Sequence, residues 1–152
     1  MPSLARIAAF VALSLSALPA CASSDGDKLP GSVALAAMEA RADQAQPREQ
    51  CFLYAELIKQ MTDLSIRQYA AGDIDAAANL LKQVQRIAQK LHTSLAGNDK
   101  RLKDAEILLS HTAFRLNEML HATSIDDRPL VEETLAQVTQ AQHAAMMQVF
   151  GK

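Results

Sequence analysis

Residues 73–96 read DIDAAANLLKQVQRIAQKLHTSLA, with Ile74, Ala77, Leu81, Val84, Ala88, Leu91 and Leu95 recurring at alternating steps of three and four. At roughly 100° per residue these steps hold all seven side chains on one side of an α-helix. A seam of that length is unstable in water, so the segment needs partners. It also has its own boundaries. Gly72 takes the left-handed conformation at no steric cost, Asp73 offers a side-chain oxygen to the first turn, and Gly97 closes the far end.

The flanking stretches supply matching partners. A helix over residues 47–71 opens on Pro47, where the missing N–H does no harm. It turns Cys51, Tyr54, Leu57, Ile58, Met61, Leu64 and Ser65 to one side. A helix over 99–122, capped by Asp99, carries Leu102, Ala105, Leu109, Thr112, Leu116 and Met119, widened by Leu108, Ala113 and Leu120. After the break at 123–129, a last helix over 127–150 offers Leu130, Val131, Leu135, Val138, Ala141, Ala145 and Val149, with Gln142 weakening the seam. Residues 32–46 predict a shorter helix, capped by Ser32, with Leu35, Met38, Ala42 and Ala45 as its weak apolar face. Four segments of equal length with short connections predict an all-α fold, an antiparallel up-down-up-down four-helix bundle over 47–152 with a short extra N-terminal helix. The window 61–84 resembles one tetratricopeptide unit through Leu64, the Gly72-Asp73 turn, Ala77 and Leu81. The equivalent turn about 34 residues on falls at Glu106, inside a helical stretch, which excludes the stacked repeats that family implies.

The N-terminus has a different logic. Arg6 precedes an uncharged apolar run over 7–18, shorter than the roughly 20 residues a spanning helix needs, and Ala20-Cys21-Ala22 follows Pro19. These features predict a signal peptide over 1–22, cleavage after Ala22, a flexible leader over 23–31, and a periplasmic or secreted protein. The alternative is a lipoprotein, with Leu18-Pro19-Ala20-Cys21 as its processing site and Cys21 as the lipidated residue; only then is a membrane a partner. Loss of Arg6 takes the net charge from −2 to −3. Such a balance argues against general affinity for nucleic acid or anionic lipid. Cys51 is then the one thiol left, so packing must supply stability in place of a disulfide.

Candidate chemistry is sparse. Glu118 and His121 have the Glu-x-x-His spacing that puts two metal ligands on one helix face, and Glu132 or Glu133 could join them. A haem carrier would draw on His143 with Met38 or Met61, and His111 and His143 form a further candidate pair; His92 closes the 73–96 segment. No Cys-x-x-Cys-His occurs, nor a nucleophile elbow or phosphate loop, so the chain predicts no enzyme and requires no cofactor. The least ordinary surface feature is basic: Lys82, Arg86 and Lys90 recur every four residues, and Lys100, Arg101 and Lys103 crowd a helix start, where cations oppose the helix dipole. These six residues predict a docking patch for an acidic partner. The resulting expectation is a non-catalytic binding or scaffold protein of the cell envelope, with a protein partner or a homodimer formed through the Ala/Gln-rich faces of the first and last helices. The alternative is a haem- or metal-binding carrier.

Overall fold

The computed structural model describes residues 31–95 and 101–151, and every regular element among them is helical: α1 (Ser32–Gln44), α2 (Pro47–Ala70), α3 (Ile74–Ser94), α4 (Leu102–Ala122) and α5 (Arg128–Phe150). The signal peptide, the leader up to residue 30, Cys21, Gly97, Asp99 and Lys100 lie outside the described residues. No helix among the described residues is long and apolar enough to cross a membrane.

Local chemistry accounts for the joint between α2 and α3. Gly72 sits at φ +85°, its N–H donates to the Tyr69 carbonyl (3.0 Å), and the Asp73 N–H reaches back to that of Gln68 (2.9 Å). This paired closure satisfies carbonyls that the end of α2 would otherwise leave open. The Asp73 carboxylate then accepts from the Ala76 N–H (3.1 Å) to start α3. A side chain at residue 72 would meet nothing within 4 Å, so only the backbone angle resists one. Gly72→Ala is therefore expected to lower the unfolding free energy by about 1–2 kcal/mol in urea titration, with no change in the helical spectrum. The start of α1 is plainer than the sequence suggests. Ser32 is its first helical residue, and Gly31 stands at the cap without a side-chain bond.

Helix α2 packs on α1, α3 and α4, while α5 packs on α3 and α4. Helices α3 and α4 follow one another in the chain, yet their backbones make no close approach. Contacts between α2 and α4 advance in step. Arg101 lies over Phe52, Arg115 approaches Asp63 (3.8 Å), and the Ser124 N–H donates to the Tyr69 hydroxyl (2.9 Å). These two helices therefore run the same way. So do α3 and α5, where the Gln85 amide donates to Thr134 Oγ1 (2.9 Å). Within α4 and α5 the order reverses: Gln142, late in α5, donates to Glu106, early in α4 (3.0 Å). Tyr69 holds the far end together, since its hydroxyl also donates to Asp127 (3.3 Å), which the Ser124 hydroxyl reaches at 2.7 Å. Two helix hairpins thus lie side by side with like-directed helices in contact.

The core is wider than a single seam per helix. Leu80 and Ile87 are buried beside the expected line of α3, and Ala55 and Thr62 beside that of α2, because each of these helices is covered from more than one direction. Ser65, opposite Ala77, donates to the Ala77 carbonyl (2.9 Å) inside this contact.

Candidate functional site

The basic stripe of α3 is largely spoken for. Helix α1 lies against α2 and turns Glu39 and Asp43 toward α3. Both Glu39 oxygens take the Arg86 guanidinium, one at 2.8 Å, and Lys90 reaches Glu39 (2.8 Å) and Asp43 (2.9 Å). The Tyr54 hydroxyl of α2 donates to the same Asp43 carboxylate (2.7 Å). The electrostatics follow from these bonds. Arg86 holds the Glu39 carboxyl down at about 2, helped by Lys90 and opposed by partial burial. Lys90 and Tyr54 lower Asp43, while burial and Asp43 push the Tyr54 phenol up to about 12. Arg86 and Lys90 are raised in turn, chiefly by Glu39 and Asp43 respectively. Two members of the expected docking patch therefore fasten α1 to the rest of the protein. Acids four apart at Glu39 and Asp43 match cations four apart at Arg86 and Lys90, a match that shows only once α1 is set against α3.

Of the other patch residues within the described chain, Lys82 is on α3, and Arg101 and Lys103 stand at the start of α4. Lys82 and Lys103 are exposed, and Arg101 stacks on Phe52 with its guanidinium carbon 3.3 Å from the ring centre while pairing with Asp104 (3.3 Å). Glu118 and His121 are both exposed on the outer side of α4, and no group of three or more metal-binding side chains occurs among the described residues. The haem candidates do not converge. His143 is exposed on α5, Met61 is buried on α2, and the backbones of those helices make no close approach. Met38 lies on α1, half-buried against the core. His111 shares the α2-facing flank of α4 with Arg115, whereas α5 meets the flank that carries Glu106. His111 and His143 therefore belong to different surfaces. His92 lines a groove of about 350 Å³ between α3 and α5, floored by Ala88 and Ala141.

Large apolar side chains are exposed at Val33, Ile125, Met147 and Phe150, and two more stand in line on α4. Ile107 and Phe114 stand 54% and 59% exposed, and their seven-residue spacing puts them in one line, opposite the buried Ala105, Leu109, Thr112, Leu116 and Met119. Beside Ile107, a groove of about 400 Å³ opens between α2 and α4, walled by Phe52, Leu108 and Ile107 and rimmed by Glu56, Lys59, Gln60 and Asp104. Phe52 also belongs to a second groove of about 660 Å³ that passes toward Ala37 and Ala40 of α1. This face offers apolar area and a charged rim, which suits recognition of another surface. Seam counting passes over Ile107 and Phe114 because both lie off the seam. The readable signal was two large apolar residues two turns apart on the side left to solvent.

Comparison of the chain with protein-family models, with curated proteins and with solved structures finds no match.

Proposed function

We propose that this chain is an exported, non-catalytic binding or scaffold protein of the cell envelope, built as a four-helix bundle of two antiparallel hairpins, α2–α3 and α4–α5, with α1 as an N-terminal arm. The observation that carries the reading is the exposed Ile107–Phe114 line beside the Phe52 groove. Large apolar side chains cost solubility when left bare, and a line of them beside a groove with a charged rim suits a contact surface. The N-terminal sequence supports export: a single basic residue, a short apolar run and Ala20-Cys21-Ala22.

Expression of the full chain with its own N-terminus tests both halves. The expected product is a periplasmic protein whose mass corresponds to a start at Ser23. A cytoplasmic protein retaining residues 1–22 would refute export, and a thioether lipid on Cys21 would replace the soluble form with an anchored one. Affinity capture from envelope extract is expected to retain a partner that Phe114→Asp releases. Equal retention by both proteins would remove the α4 face from the binding role.

A further inference from the structure

The geometry points to a second copy of this chain as an occupant of the α4 face, docked antiparallel across a twofold axis that passes between Ser110 and His111. This inference rests on the binding role proposed above and names the partner.

The argument is one of register. With the axis at that point, Ile107 of one copy lies against Phe114 of the other, and the reverse contact is made at the same time, as a twofold interface requires. Each Phe114 ring then arrives beside the groove walled by Phe52, Ile107 and Leu108, whose volume of about 400 Å³ leaves room for it. The same register sets Lys103 opposite Glu118 at both ends of the apolar pair. Both residues are exposed, and Glu118 meets Arg115 only at 3.9 Å, so its carboxylate is available to a closer cation. Four exposed residues on one helix face thus complement themselves at one setting.

Other settings lose that match. A slip of one turn, four residues, puts Ile107 opposite Glu118 in one direction and Phe114 opposite Lys103 in the other. A parallel pairing brings Lys103 against Lys103 and Glu118 against Glu118. Charges at the ends of an apolar seam set orientation and register in this way in paired helices generally. A contact centred on one helix per copy is small, which predicts reversible, concentration-dependent association and no permanent dimer.

Sedimentation of the mature protein over a concentration series of about two decades is the test, with circular dichroism as the check on folding. The expected result is a shift from one to two chains, weakened about tenfold or more by Phe114→Ala. Lys103→Glu and Glu118→Lys are each expected to weaken it, and the two together to restore it. A Ser110→Cys variant should cross-link between copies on mild oxidation. A single species of monomer mass throughout would overturn the proposal. So would a dimer indifferent to Phe114→Ala, or a double charge swap no better than its single variants. A correctly exported monomer would remove the dimer and leave the envelope binding role standing. A dimer found only in the cytoplasm would do the reverse.

Discussion

Leu57→Ala is expected to lower the unfolding free energy by about 2–5 kcal/mol, whereas Ile107→Ala changes it by about 0.5 kcal/mol or less. Leu57 is fully buried on α2, the one helix packed against three others. Removing its branched end leaves a void in the core, and close-packed surroundings relax only in part. Ile107 loses little because water already reaches it. Urea unfolding of the two variants, followed by circular dichroism, measures the difference. Comparable losses at both sites would mean that the α4 face is covered within a single chain.

Undoing the clasp between α1 and α3 is the second large effect. Glu39→Arg is expected to weaken docking of α1 by about 1–2 kcal/mol, after allowance for solvent around a partly exposed pair, because one substitution severs Arg86 and Lys90 from their shared acceptor. The reciprocal change, Glu39→Arg with Arg86→Glu, should recover part of the loss. Tryptic cleavage after Arg41, which is exposed on α1, reports how often the arm opens.

The dependence on pH has a definite sign. Glu39 sits well below its ordinary value of 4.5, so its contribution is complete above that value and is lost as the pH falls toward about 2. Asp43 is displaced in the same direction. Tyr54 is raised from 10.0 to about 12, so its contribution is present below 10 and is lost as the phenol ionises above it. Protection of α1 should therefore be flat between about pH 5 and 10 and fall on either side. Salt of about 1 M should lower the plateau, since it shortens the Debye length to roughly 3 Å. Protection that is unmoved by salt and by Glu39→Arg would assign α1 docking to Leu35 and Ala42 alone.

Helical character was legible because it is local. The steps of three and four over residues 74–95, proline at the start of α2 and the Gly72-Asp73 joint each act within a few residues of themselves. The bonds at that joint all close between residues 67 and 77. Much of the core followed from the same periodicity. Its width did not, because Leu80, Ile87, Ala55 and Thr62 are buried by neighbours that the periodicity of one helix cannot count.

The candidate site divided along the same line. The exposure of Ile107 and Phe114 follows from their place opposite the α4 seam, and so was open to reading from spacing. The fate of Arg86 and Lys90 was not, since a cation is a docking residue or a clasp according to what lies across from it. Their partners Glu39 and Asp43 are 47 residues earlier in the chain. What the sequence determined by itself was a set of amphipathic helices and the places where they stop. Which helices touch, with α3 and α4 apart and like-directed helices in contact, was decided only on assembly. An apolar stripe states that it must be covered, but dispersion and the hydrophobic effect carry no direction that would name the neighbour.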